Sequence, residues 1–280
     1  MNTSPSNQLK YAYYRYYYDS WLRTLKLPTK IFGPRYTRSR SRIEIDITYD
    51  CNLKCVNCNR SCTLAPSTAQ MTTEQVEIFI RESKEKNIEW GRINVLGGEP
   101  TLHPDILEIL ALLVEYKKRS SHCVDIQLFT NGYGHEVAGA LSKIPDGVVI
   151  VNSKKTGVEN EHCLFNNAPK DSILYRCEDF SNGCYITSTC GIGLTPYGYY
   201  CCAIAGGIDR VFGFDIGRKK LPPADDGMVD QLGVFCELCG HFLSIHQSRR
   251  HAREAISPVW KEAYKKYSRQ KPALSLYSSE

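Results

Sequence analysis

Ile43-Glu-Ile-Asp-Ile-Thr-Tyr49-Asp50-Cys51-Asn-Leu-Lys-Cys55-Val-Asn-Cys58 is the stretch that decides the fold. Ile43, Ile45 and Ile47 alternate with acidic or polar neighbours, which is the period-2 pattern of a strand. Cys51, Cys55 and Cys58 follow at once, spaced Cys-x3-Cys-x2-Cys, so three thiolates share one short loop at the strand's end. Three thiolates suit a cubane iron–sulfur cluster that leaves one iron free of protein. An open metal position is what distinguishes a reactive metal site from a structural one.

Downstream of that loop, helices and strands alternate. Thr72 to Lys86 reads as a helix capped by Thr72 or Thr73, with glutamates in its first turn. Arg92 to Leu96 reads as a strand ending in Gly97-Gly98, and Pro104 to Lys118 as an amphipathic helix with lysines at its C-terminal end. Val124 to Phe129 is a strand stopping at Thr130-Asn131-Gly132, Gly134 to Lys143 a helix, and Gly147 to Asn152 a fourth strand. Such alternation implies βα units and a parallel sheet, hence the α/β class. Right-handed crossovers put all strand C-termini on one edge. The Cys51 loop, Gly97-Gly98-Glu99, Asn131 and Ser153 should therefore meet there.

Composition sets the outer limits. The chain has 280 residues, 42% of them apolar and 23% charged, enough for one large domain or one plus a small addition. Thirteen cysteines make an odd count in a chain that does not need disulfide staples, so clustered cysteines point to metal or redox chemistry in a reducing cytoplasm. Met1 to Ser20 lacks the apolar core of a signal peptide, and Ile106 to Val114, the best apolar run, is too short to span a membrane. The net charge of +5 is concentrated at the two ends, in Arg35, Arg38, Arg40 and Arg42 and again from Arg249 to Lys266. We read these as solvated faces rather than a nucleic-acid site. Tyr11 to Tyr18 holds six tyrosines, read as an aromatic stripe packed on the body, with Pro28, Gly33 and Pro34 breaking any helix that follows.

Cys51-Asn-Leu-Lys-Cys55-Val-Asn-Cys58, together with Gly97-Gly98-Glu99-Pro100 at the end of the next strand, resembles the radical S-adenosylmethionine (SAM) superfamily over roughly residues 43 to 155. The resemblance implies a partial (β/α)6 TIM-like barrel and a 4Fe–4S cluster on Cys51, Cys55 and Cys58. It also implies that the open iron is chelated by SAM. Gly97, Gly98, Glu99 and Pro100 would lie along the SAM amino group, where glycine lets backbone approach and Glu99 adds an acceptor. Asn131 and Ser153 stand where family members touch ribose or carboxylate, and otherwise read as a turn and a loop residue. Reductive cleavage of SAM would give a 5′-deoxyadenosyl radical that takes a hydrogen atom from substrate. Asn57 departs from the family, where an aromatic residue often precedes the third cysteine. Cys62 could close the cluster and make an electron carrier, but Gly-Gly-Glu-Pro has no place in that account. We read Cys62 as a free thiol.

The C-terminal half carries a second set of cysteines: Cys184, Cys190, Cys201, Cys202 and Cys236-Glu-Leu-Cys239. With the turn at Pro196-Tyr-Gly198, it resembles the shortened twitch form of the SPASM extension, which implies an auxiliary 4Fe–4S cluster. Cys190, Cys202, Cys236 and Cys239 are our assigned ligands. Cys184 against Cys190, and Cys201 against Cys202, remain open. A zinc ribbon is the alternative for the same four positions, with His241 able to replace a thiolate. Cys123 reads as core. Cys62, Cys163, Cys177, Cys184 and Cys201 are candidate hydrogen donors. His103 and Asp105 read as turn and cap residues. Ala205-Gly-Gly-Ile-Asp-Arg-Val-Phe-Gly-Phe-Asp-Ile-Gly reads as too glycine-rich for a helix, hence a bulged hairpin or loop, with Asp209 or Arg210 facing substrate in a sharper reading.

These readings give an N-terminal extension over 1–41, a radical SAM core over 42–170, a cysteine-rich β-hairpin and helix cap over 171–245, and a helical tail over 246–280. The expected activity is two-electron oxidation of a small molecule, with a flavodoxin- or ferredoxin-type reductant and no membrane partner. The alternatives are a radical epimerase, a peptide-modifying maturase, and a non-catalytic electron-transfer or zinc-ribbon protein.

Overall fold

The computed structural model describes residues 21–161, 165–242 and 256–278. The tyrosine stripe at 11–18, Cys163, and Arg249, Arg250 and Arg253 lie outside the described residues. Helix α1 (Lys26–Phe32) contains Pro28, against the expectation that proline breaks it. Pro28 sits in the first turn, where its missing N–H has no intrahelical partner to lose. Gly33 then ends the helix at φ 74°.

Strand β1 (Arg42–Thr48) buries Ile43, Ile45 and Ile47 on its outer face and sets Glu44, Asp46 and Thr48 on the other. Helix α2 (Thr73–Glu85) opens with a capping box between Thr72 and Gln75. Strand β2 (Arg92–Gly97), helix α3 (Ile106–Arg119), strand β3 (Asp125–Thr130), helix α4 (His135–Leu141) and strand β4 (Val148–Asn152) follow. Ile93, Val95, Ile126 and Leu128 pack with Val76, Phe79, Ile109 and Leu113 between sheet and helices.

The chain then forms α5 (Tyr185–Thr189), the hairpin β5 (Ile192–Thr195) and β6 (Gly198–Tyr200), and helices α6 (Ala203–Phe212), α7 (Val229–Cys236) and α8 (Pro258–Arg269). One six-stranded sheet has the order β4-β3-β2-β1-β5-β6. All neighbours are parallel except β5 and β6. This is the expected α/β class, a mostly parallel six-stranded sheet consistent with a partial TIM-like barrel. Its fifth strand joins from the cysteine-rich half on the far side of β1, so the two halves share one sheet. Among the described residues no helix is long and apolar enough to cross a membrane.

Two local expectations fail. The segment after Cys202, read as a hairpin or loop, is helix α6. Its glycines serve close packing: a Cβ on Gly206 would lie 2.5 Å from Thr195 Cγ2, and one on Gly207 would lie 3.3 Å from the Asn59 carbonyl oxygen. Cys123, read as core, is exposed, because it precedes β3 and the buried positions begin at Val124.

Candidate metal and cofactor site

The strand ends meet on one edge, and the hydrogen bonds there account for the Gly-Gly-Glu sequence. The backbone N–H groups of Gly98 and Glu99 donate to the carbonyls of Thr48 and Asp50, each at 2.7 Å, so the chain leaving β2 runs against the chain entering the cysteine loop. A Cβ on Gly97 would lie 2.2 Å from Thr48 O, and one on Gly98 would lie 2.0 Å from Asp50 O. Both glycines are therefore required by intramolecular packing alone, whatever ligand approaches them. Pro100 begins the 3-10 turn that follows, Pro100–Leu102.

Glu99 is fully buried and ties three strand ends together. Its Oε1 accepts from Thr101 N–H (3.2 Å), Thr101 Oγ1 (2.7 Å) and Thr130 Oγ1 (2.8 Å), and its Oε2 accepts from Asn131 N–H (2.7 Å). The Asn131 amide donates to Asn52 Oδ1 at 2.8 Å, and Asn52 in turn donates to the Tyr133 carbonyl at 2.7 Å, so the cysteine loop is laced to the end of β3. Ser153 Oγ donates to the Thr130 carbonyl at 3.1 Å. All the residues expected on this edge are there, and the carboxylate expected to face an ammonium is largely occupied holding the edge together.

Within the loop, Asn57 has φ 55°, in the left-handed region where asparagine is one of the tolerated residues. The asparagine is thus explained by backbone shape. Burial pushes the Cys51 thiol up to about 12, opposed by the Leu53 N–H, and burial also raises Cys55. Cys62 is buried, within hydrogen-bond reach of Cys58, and raised by that contact and by burial. Thiols so placed are costly as anions unless a cation meets them, which fits a metal cluster.

A second gathering of thiols lies behind β5. Cys184, Cys202, Cys236 and Cys239 line one pocket with Cys201 and His241. Burial pushes Cys184 up to about 12 and holds Cys236 and Cys239 well above the ordinary cysteine value, with each further raised by the other thiols of the set. The Cys201 thiol hydrogen-bonds Cys202, lowering Cys202 and raising Cys201. Cys190, assigned to this set from sequence, stands outside the pocket. It is the C-cap of α5, its thiol lies 3.8 Å from Thr189 Oγ1, and burial, with the Glu44 carboxylate near it, pushes it up to about 12. Cys184, left open in the sequence, lines the pocket.

Among the described residues no three His, Cys, Asp or Glu side chains converge tightly enough to hold a single metal ion. A cube asks for a wider set, since each of four thiolates takes a different iron.

The sequence reading misses the polar face between the two thiol sets. Arg60 Nε donates to Asp46 at 3.2 and 3.3 Å, and its Nη2 donates to Glu44 Oε2 at 3.1 Å. Burial pushes Asp46 up to about 6, against the pull of Arg60. The signal is present: a strand buried on both faces of a parallel sheet should be continuously apolar, and Glu44 and Asp46 break that rule. Asp209 and Arg210, read as candidates to face substrate, are internal. Asp209 accepts from Tyr200 Oη at 2.7 Å, and Arg210 donates to the Ala65 and Arg60 carbonyls and to Tyr267 Oη.

Comparison with known proteins agrees with this geometry. The Radical SAM superfamily model matches residues 45–162. A probable GTP 3′,8-cyclase of Pyrococcus horikoshii is 36% identical over 98 residues, 35% of this chain and 29% of that protein. The mycofactocin maturase MftC of Mycobacterium ulcerans is 34% identical over 99 residues, 35% of this chain and 24% of that protein. The chain therefore spans less than a third of the length of these curated relatives. Among solved structures, BtrN in complex with AdoMet and 2-DOIA superposes with a TM-score of 0.42 at 13% identity, covering 76% of this chain and 98% of that one. The family implies a 4Fe–4S cluster and SAM, and residues 45–162, with three cysteines gathered at the edge the glycines close, form a radical SAM superfamily domain.

Proposed function

We propose that this protein is a radical SAM enzyme that removes a hydrogen atom from a small polar molecule and completes a two-electron oxidation with the help of an auxiliary 4Fe–4S cluster. Cys51, Cys55 and Cys58 would hold the first cluster, and Cys184, Cys202, Cys236 and Cys239 the second. The observation that carries the reading is the convergence of those last four thiols in one buried pocket, behind a strand that pairs directly with β1. When bound, the cluster and SAM supply a carbon radical strong enough to take an unactivated hydrogen.

The chain's own part is placement. The Gly97-Gly98-Glu99 backbone fixes the cysteine loop against β2. Glu99 locks Thr130 and Asn131 beside it, so Asn131 and Ser153 present a rigid polar rim to SAM. The buried face of β1 keeps water from the reacting carbon. We assign 42–170 to the SAM-binding half and 171–245 to the auxiliary half, with 1–41 and 246–280 as flanks. A flavodoxin- or ferredoxin-type protein is the proposed reductant.

Anaerobic reconstitution tests this. Wild-type protein should take up about eight irons per chain, Cys184→Ser about four, and Cys190→Ser about eight, given four irons per four-thiol cubane. Adding SAM should shift the iron spectrum in all three. About four irons in the wild type, or loss of iron in Cys190→Ser but not in Cys184→Ser, would sink the auxiliary site as assigned.

A further inference from the structure

Strand β4 ends the sheet, and its far edge is open. Among the described residues no strand or bridge lies beyond it. The opposite end of the sheet is closed: beyond β6, Tyr199 and Arg218 exchange two backbone hydrogen bonds, at 2.8 and 2.9 Å. The sequence of β4, Val148-Val-Ile-Val-Asn152, has none of the lysine, proline or bulge that usually blunts a sheet edge. The strand is also thinly covered. Val149 is 50% exposed and Ile150 42%, on opposite faces. Among the described residues no α-helix follows β4 before α5, so the helix that a further βα unit would lay on this strand is missing.

The direction of the free groups follows from one bond. Ser153 N–H donates to the Thr130 carbonyl at 3.0 Å. Main-chain groups alternate sides along a strand, so Val151 and Val149 also turn theirs toward β3. Val148, Ile150 and Asn152 then present N–H and C=O outward. That set is self-complementary about Ile150. In an antiparallel two-fold pairing centred there, Ile150 meets Ile150, and Val148 meets Asn152 on either side. These are three hydrogen-bonded pairs of two bonds each, and every outward group is satisfied. A slip of two residues leaves only two such pairs within the strand. On the other face the same register sets Val149 beside the second copy's Val151. It also brings Asp146, before the strand, to the end where the second copy's Lys154 stands, and does so twice by symmetry. Asp146 and Lys154 are exposed, and among the described residues neither makes an ion pair.

We propose that the β4 edge docks a second copy of this chain, antiparallel about Ile150, so that one sheet runs through both copies. Pairing uses the open edge of each copy and the β6 edge is closed, so assembly stops at two. The register also sets the second copy's Gly147 across from Ser153, beside the rim that the proposed function assigns to SAM. The inference stands on strand geometry and charge and needs neither cluster.

Sedimentation velocity of the full chain, iron-loaded, anaerobic and under reductant, tests it. The dimer fraction should rise with concentration and pass one half below about 100 μM, the strength of a small interface. Ile150→Lys sets two ammonium groups against each other at the two-fold axis and should weaken pairing at least about tenfold. Asp146→Lys and Lys154→Asp should each weaken it about fivefold, since every substitution acts twice, and the double swap should return to within about twofold of wild type. Aspartate tolerates the left-handed backbone of Lys154, φ 48°. Hydrogen exchange in the peptide over 146–154 should slow as wild-type protein is concentrated and not in Ile150→Lys. Circular dichroism checks folding, and if Ile150→Lys does not fold the charge-swap set decides.

A protein still mostly monomeric at about 100 μM overturns the proposal. So does a dimer that a folded Ile150→Lys leaves intact, which would pair through another surface, or a double swap that stays as weak as the single ones. Slow exchange over 146–154 in dilute, monomeric protein would show that another stretch of this chain covers the edge, and overturns it equally.

Discussion

Gly98 shows how a residue recognised for one reason can be required for another. Its place in Gly-Gly-Glu-Pro is legible from sequence, and the expected reason is access for a ligand's amino group. The contacts show a nearer constraint: any side chain would strike the Asp50 carbonyl and push the cysteine loop off β2. Gly98→Ala should therefore destabilise even the iron-free protein, by about 2–4 kcal/mol for an overpacked site that cannot relax. Urea denaturation under reducing conditions measures this, and unchanged stability would return the glycine to a purely ligand-facing role. His103 lies on the same stretch. Its Nδ1 accepts the Asp105 N–H at 3.0 Å while Nε2 lies 2.9 Å from the Met71 carbonyl, so one neutral tautomer satisfies both. Burial lowers its pKa. Between that lowered value and the ordinary one near about 6.5, the unfolded chain binds more protons, so this contribution is complete above the ordinary value and is lost as pH falls. His103→Asn should flatten the rise of stability with pH below the ordinary histidine value of about 6.5, read from urea midpoints. An unchanged slope would mean that His103 protonates freely in the folded state.

At the scale of elements, legibility follows periodicity. From Arg42 to Asn152 the alternation of apolar residues is regular, and each expected strand and helix forms within a couple of residues of its sequence limits. Beyond residue 160 the period fades, and α6 escapes a sequence reading because Gly206 and Gly207 weigh as helix breakers. A glycine costs a helix about 1 kcal/mol, which tertiary packing easily overrides. Here the return is a helix backbone lying directly on Thr195, Tyr200 and the cysteine loop. Likewise, the choice between Cys184 and Cys190 depends on which way each faces across a fold, which spacing in a chain does not encode. The same reasoning separates two superficially equal substitutions. A Cβ on Gly139 in α4 would meet no atom within 4 Å, so Gly139→Ala should stabilise by about 0.5–1 kcal/mol. Gly206→Ala meets Thr195 at 2.5 Å and Tyr200 at 3.1 Å, and should destabilise by about 1–3 kcal/mol. Thermal denaturation of the pair checks the signs, and a stabilising Gly206→Ala would remove the packing explanation of α6.

At the scale of the whole molecule, the β1–β5 pairing is one of several ties between the cysteine-rich half and the strand–helix half, and the C-terminal segment makes another. Tyr277 is 1% exposed and packs edge-on against Tyr199, ring centroids 5.2 Å apart. Both phenols donate to Glu82 Oε2 of α2, at 2.6 and 2.7 Å. Gln75, also on α2, donates to the carbonyls of Tyr277 and Pro196, so the tail, the β5–β6 hairpin and the outer helix are fastened at one point. If that fastening matters to the whole, removing the ring should be felt throughout the chain. Tyr277→Ala should cost about 3–5 kcal/mol, the range for losing a buried aromatic. Tyr277→Phe should cost only about 1–2 kcal/mol, since Glu82 keeps Tyr199 and the Leu221 N–H as partners. Hydrogen exchange adds the spatial reading. In Tyr277→Ala, protection should fall in α2 and in β5–β6 together while β3 and β4 keep theirs. Loss confined to the tail itself would show that the segment merely rests on a body already held by its sheet.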